Sequence, residues 1–365
     1  IYHWDLPQAL VDEYQGWESP RIIDDYVHYA KTLFSRFDGK VKYWITLNEQ
    51  NIFTSLGWLT AQHPPGKFDD QKMFYQVNHH AFMAHAKAVL AYRQMGGKGQ
   101  IGASFAYTPS YALDCRPINA MAKANYDDLK NYWWMDVYAY GRYPVAAMTY
   151  LKKKGIAPDM ADGDEEILRQ AASQITFMGV NYYQSCVCEY NPMDGATPYG
   201  TMNTTGIKGS AQELGMPGIY KNPANPYLMT TDWDWSIDPS GLQFCCREIT
   251  SRYALPIVIS ENGLGAFDKK TEDDQIHDEY RICYLKEHIK ALGEAVEEGC
   301  QVLAYCTWSF TDLLSWLNGY QKRYGFIYVD REEEEGGTLE RFKKDSFYWY
   351  KKVIETNGKE IFEEE

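Results

Sequence analysis

An α/β fold of the parallel (β/α)8 barrel kind is what this 365-residue chain predicts, on three observations. Short apolar runs rich in β-branched and aromatic residues alternate with longer stretches of helical period, giving a βα pattern with six strands. Two of those runs end in a glutamate: residues 41–47 lead through Asn48 to Glu49, and residues 256–260 lead directly to Glu261. Parallel barrels carry their catalytic groups at C-terminal strand ends, so a carboxylate placed there is informative. A chain of this length, 45% hydrophobic, can bury one large core, and no linker divides residues 1–365, so a single barrel domain is expected.

The first element is residues 1–7, Ile-Tyr-His-Trp-Asp-Leu-Pro, read as the end of a strand. Ser19-Pro20 then caps a helix whose apolar face runs Ile23, Tyr26, Val27, Ala30, Leu33, Phe34 and Phe37, closed by Gly39. The strand ending at Glu49 follows. Residues 71–95 form a long helical pattern stopped by Gly96-Gly97, before a strand over 101–105. His79, His80 and His85 lie on that helix without a carboxylate at ligand spacing, so core or solvated histidines are expected and no metal. Residues 117–155 read as helical, aromatic packing, and a helix near 165–173 precedes a strand over 175–180 that ends in Asn181-Tyr182-Tyr183. The segment 190–239, rich in Gly, Pro and Asn, is too long for a mere connection and is expected to shape the mouth of a site. A helix after Ser240, the strand to Glu261, a helix over 278–298, a strand over 302–308 and a closing helix near 347–355 complete the chain, with the acidic run 332–335 as a solvated loop.

The net charge of −14, from 50 acidic and 36 basic residues, argues against nucleic acid or an anionic membrane surface as partner. A negatively charged small substrate would therefore need its own local basic group. The eight cysteines show no C-x-x-C or zinc-type spacing and suit buried thiols in a reducing compartment. No run approaches the ~18 apolar residues of a membrane span.

Paired carboxylates at one site are what glycosidic bond cleavage needs, one to protonate the leaving oxygen and one to attack the anomeric carbon or activate water. Thr46-Leu47-Asn48-Glu49 and Ile259-Ser260-Glu261-Asn262-Gly263, in this order and separation, resemble the acid/base and nucleophile motifs of glycoside hydrolase family 1, the retaining β-glycosidases. The resemblance implies that Glu49 is the general acid/base and Glu261 the nucleophile, with Asn48 on the sugar 2-hydroxyl and Tyr183 orienting the nucleophile. It further implies that His3, Trp4 and Asn181 contact the sugar and that Trp308 forms the platform beneath it. By the same resemblance, residues 1–7 end the third strand, which makes this an N-terminally truncated barrel with strands 3 to 8 present.

The stretch 312–325, Asp-Leu-Leu-Ser-Trp-Leu-Asn-Gly-Tyr-Gln-Lys-Arg-Tyr-Gly, resembles the 6-phospho-β-glycosidase branch. Plain β-glucosidases of the family usually carry Glu where this chain has Ser315, and that carboxylate binds the sugar 4- and 6-hydroxyls. Here Ser315, Lys322 and Tyr324 are expected to hold a 6-phosphate instead, and Trp316 to stand beside the sugar C4, compatible with either epimer. The reading is retaining hydrolysis of 6-phospho-β-glucosides such as cellobiose 6-phosphate or aryl-β-glucoside 6-phosphates, without cofactor. A cytoplasmic location follows, because such sugars are phosphorylated during import. A 6-phospho-β-galactosidase or dual-specificity enzyme, a plain β-glucosidase, and an inactive phosphosugar-binding fragment stay open, the last because a barrel short of two strands exposes sheet edges.

Overall fold

The computed structural model describes residues 1–193, 200, 202–212, 215–333, 336–359 and 361. Glu334 and Glu335 of the acidic run, and parts of the 190–239 segment, lie outside the described residues. Five strands form the central sheet: β1 (Tyr43–Asn48), β2 (Gln100–Ala106), β3 (Met178–Tyr182), β4 (Ile257–Asn262) and β5 (Val302–Tyr305). They lie side by side in chain order, all parallel, as a succession of βα units requires. The sixth expected strand is reduced to one parallel bridge, Tyr2 to Leu47, because Trp4 turns the chain away with φ +82°. The strand placed over 175–180 begins only at Met178 and runs on to Tyr182, and the one placed over 302–308 stops at Tyr305.

Helices cover the outer face of this arc. In α1 (Arg21–Phe37) the buried positions Ile22, Ile23, Tyr26, Ala30 and Phe34 recur at helical spacing and face α3 (Gln71–Gln94). The expected Ser19 cap is not made: Pro20 occupies the N-cap position, and Ser19 Oγ accepts from the Arg21 amide at 3.3 Å. α3 does have a side-chain cap, Asp70 accepting from the Met73 amide at 3.2 Å. Its three histidines are buried, His85 bonded through Nδ1 to the Thr46 hydroxyl at 2.6 Å. Between β1 and α3, α2 (Gln50–Trp58) starts directly at Glu49. α4 (Pro239–Tyr253), capped by Asp238, leads into β4, and α5 (Glu279–Glu297) into β5. α6 (Asp345–Glu355) packs on α5. Residues 117–140 hold two α-helices joined by a π-helical turn, Asp127–Asn131.

Two irregularities in the sheet set up the site. Ile45 pairs with Gly102 but Asn48 with Ser104, so β1 carries an extra residue before its end. Val180 pairs with Ile259 but Asn181 with Glu261, so β4 carries an extra residue at Ser260. A bulge of this kind re-aims the side chains that follow it.

Candidate active site

At the C-terminal ends of the strands a cleft is lined by Asn181 and Glu261 from the sheet and by Glu49, Tyr183 and Trp308 just past the strand ends. His3, Trp4, Ser315, Trp316 and Tyr324 line it from the flanking loops. Asn48 and Lys322 stand just behind its wall.

Glu49 leaves β1 in the left-handed region, φ +45° and ψ +55°, which turns the chain sharply into α2 and leaves its carboxylate beside the amide of Asn48. Strain of this kind is held by its surroundings: the Glu49 amide donates to Ser104 O at 2.9 Å, and Asn181 Nδ2 donates to Glu49 Oε1 at 2.9 Å. Asn181 is oriented in turn by two hydroxyls. Ser104 and Ser260 donate to its Oδ1 at 2.8 and 2.6 Å, so that Nδ2 is left to reach Glu49 and, at 3.1 Å, Asn48 Oδ1. Asn48 Nδ2 lies 3.1 Å from His3 Nε2, and Trp4 donates its indole N–H to Asn48 O at 2.9 Å. Just past the end of β3, Tyr183 donates its hydroxyl to Glu261 Oε2 at 2.6 Å.

The two glutamates are each 8% exposed. Burial raises both carboxyl pKa values, and the charge of Glu261 raises that of Glu49 further against one opposing hydrogen bond from Asn181. At Glu261 burial is opposed by hydrogen bonds from Tyr183, Asn181 and Asn48. Two carboxyls so placed do not both ionise at neutral pH, and the donors at Glu261 leave the proton with Glu49. One end of the site thus carries an acid and the other an anion.

Aromatic rings form the rim. His3 stacks on Trp308 with centroids 5.8 Å apart, and Trp4 packs on Trp316 at 5.1 Å and on His63 at 5.2 Å. Beyond Tyr183, Trp235 and Tyr324 continue the wall. Lys322 lies beneath them, 1% exposed, its Nζ 3.6 Å from the Trp235 ring centroid and 5.5 Å from that of Tyr324. Its ammonium has no hydrogen-bond partner among the described residues, and burial lowers its pKa to about 7. Gly265 makes this packing possible, since a Cβ there would stand 2.6 Å from Lys322 Cε.

The loop bearing Ser315 and Tyr324 is fixed by buried ions. Asp312 accepts from Lys344 Nζ at 2.7 Å, Arg323 Nη1 at 3.0 Å and the Gly325 amide at 2.9 Å. Lys344 also pairs with Asp268, which Arg281 holds at 3.0 Å. Sequence reading missed this network, and it missed His63, Ser104 and Ser260; isolated polar residues carry no periodic signal, and their roles exist only across strands. All eight cysteines are free. Among the described residues no cluster of His, Cys, Asp or Glu could hold a metal ion, and no helix is long and apolar enough to cross a membrane.

Residues 1–359 match the model of glycosyl hydrolase family 1. The chain belongs to that family. Among its relatives, the aryl-phospho-beta-D-glucosidase BglC of Bacillus subtilis (strain 168) is 53% identical over 361 residues, covering 99% of this chain and 75% of the relative. The 6-phospho-beta-glucosidase AscB of Escherichia coli (strain K12) is 36% identical, over 99% of this chain and 73% of the relative. A solved structure, the family 1 b-glucosidase from Thermotoga maritima, superposes with a TM-score of 0.84 at 30% identity, covering 98% of this chain and 73% of that one. This family 1 member is therefore a glycoside hydrolase with the expected α/β barrel fold, its parallel strands forming the arc described above.

Proposed function

We propose that this family 1 enzyme hydrolyses 6-phospho-β-glucosides with retention of configuration, in one catalytic domain. The observation that carries the mechanism is the asymmetry of the two buried glutamates. Glu49, keeping its proton, delivers it to the leaving oxygen; Glu261, held as an anion by the Tyr183 phenol, attacks the anomeric carbon. In the second step Glu49, now a carboxylate, takes a proton from water, and that water releases the sugar from Glu261. Asn48 is suited to a sugar 2-hydroxyl, and Trp308 with His3 and Trp4 to the ring face and its hydroxyls.

The phosphate reading is supported by Ser315 and Tyr324, which line the cleft that holds the glutamates, and by the unpaired ammonium of Lys322 behind Tyr324. A phosphate oxygen would supply the acceptor that Lys322 lacks, and no carboxylate at position 315 repels it. The names of BglC and AscB point to the same substrate class. Charge-assisted hydrogen bonds contribute ~1.5–3 kcal/mol each. Two of them, partly retained after desolvation, give roughly a hundredfold preference for the phosphorylated glycoside. The test is kcat/KM on p-nitrophenyl β-glucoside 6-phosphate against the unphosphorylated compound; equal values return the enzyme to the plain β-glucosidases. Sugars phosphorylated on import would place it in the cytoplasm.

A further inference from the structure

A second cavity of about 620 Å³, within the range of small-molecule sites, lies beside the catalytic cleft. The two share a wall formed by residues that include Ile52, Leu56, Ala106, Thr108, Met202 and Trp235, whereas Ser315 and Tyr324 line the cleft alone. Its position follows from Glu49. A general acid stands against the leaving oxygen, and α2, the helix that begins at Glu49, lines both the cleft, through Ile52 and Leu56, and this cavity, through Asn51, Ile52, Ser55 and Leu56.

The walls combine apolar groups, among them Tyr126, Trp134, Trp233, Leu56 and Leu59, with uncharged polar ones such as Asn51, Gln62 and Asn222. Into this lining the π-helical turn Asp127–Asn131 brings one ammonium, that of Lys130. Lys130 makes no hydrogen bond or ion pair with any described residue, although acids flank it. Asp127 is occupied by Lys123 at 2.6 Å and Ser110 at 2.7 Å, while the charge of Arg252 acts on Asp128. The carboxylate that lines the cavity, Asp234, is likewise occupied, by the Gly209 and Ala211 amides and by Asn203. Burial lowers the Lys130 pKa to about 8, so the group is mostly cationic at neutral pH. An unpaired cation in apolar surroundings is unfavourable, and an anion entering the cavity relieves it. Gln62 Oε1, Asn222 Oδ1 and Trp233 Nε1, also in this lining, are buried without partners among the described residues and suit a polar edge on the same ligand.

We infer that this cavity receives the leaving group, and that Lys130 selects aromatic aglycones bearing a carboxylate or similar anion. The inference rests on the reading of Glu49 as the acid.

The experiment compares two non-hydrolysable ligands, the 4-carboxyphenyl and 4-carboxamidophenyl 1-thio-β-glucoside 6-phosphates, by titration calorimetry on the whole chain. The carboxylate is expected to bind about tenfold more tightly, the equivalent of one charge-assisted contact of ~1.4 kcal/mol. Lys130→Arg should keep that ratio and Lys130→Met bring it to one. Equal Kd values in the wild type overturn the inference, as does a ratio that survives Lys130→Met. Should the Met variant not fold, the wild-type ratio and its retention in the Arg variant decide. Calorimetry needs no turnover, so failure of the phosphate reading is seen separately: the unphosphorylated pair of thioglycosides would then be the pair that binds, and the same ratio applies to it.

Discussion

The two ends of the cleft are built differently. The carboxylate end stands on strands: Glu49, Asn181 and Glu261 come from β1, β3 and β4, and hydrogen bonds across the sheet join them. The end with Ser315, Lys322 and Tyr324 stands on a loop, held to the body by Asp312, Lys344, Asp268 and Arg281, all nearly buried. Backbone ladders hold the first in place, and bond-making chemistry depends on such positioning. Buried ions fix the second from outside the cleft, which suits a loop that sets specificity on a rigid body.

The sharpest break of this comparison lies at the strand end. Glu261→Gln removes the nucleophile and should lower kcat on the order of 10⁴- to 10⁶-fold, with the fold retained by circular dichroism. Glu49→Gln should lower kcat/KM by about 10²- to 10⁴-fold on aryl glycosides with poor leaving groups, and far less on p-nitrophenyl substrates, which leave without protonation. Equal losses on both substrates would remove Glu49 from the role of acid.

At the loop end stability responds first. Asp312→Ala leaves Lys344 and Arg323 buried and short of a partner, and should destabilise the protein by about 3–5 kcal/mol in a denaturant titration. A loss within ~0.5 kcal/mol would show that the loop is held otherwise. Ser315→Glu should act on selectivity alone: the proposed preference of roughly a hundredfold for phosphorylated glycosides falls to one or inverts, with thermal stability near wild type.

The smallest effect sharpens the electrostatic side. Burial and the charge of Glu261 raise the carboxyl pKa of Glu49 from its ordinary 4.5 to about 8 in the fold. A raised carboxyl pKa means the folded state holds its proton longer, so the stability it lends is full below about pH 4.5 and lost as pH rises through the folded value. Glu49→Gln should therefore stabilise the protein at pH 8, on the order of 1 kcal/mol, and have little effect at pH 4, as read from melting curves. An increase that is the same at both pH values would assign the gain to packing.

The βα alternation, the amphipathic helices and the two strands that end in glutamate were legible because they are periodic or adjacent in the chain. Hydrophobic period marks a helix face or a strand wherever it is folded, and a carboxylate following an apolar run marks a strand end. Strand limits were less legible: the run 175–180 is mostly apolar, yet it joins the sheet ladder only from Met178, which pairs with Ile257, and is paired on both sides from Gly179, which meets Ser104 and Val258. What the tertiary structure alone decided is the extra residue at Ser260 and the left-handed turn at Glu49, which bring Ser260, Glu261, Asn48 and Glu49 to one place although alternation along a strand would send neighbours to opposite faces. It also decided the pairing of Asp312 with Lys344 and the isolation of Lys130. Burial and partnership belong to pairs of residues distant in the chain, and a single sequence records the charges without saying which of them meet.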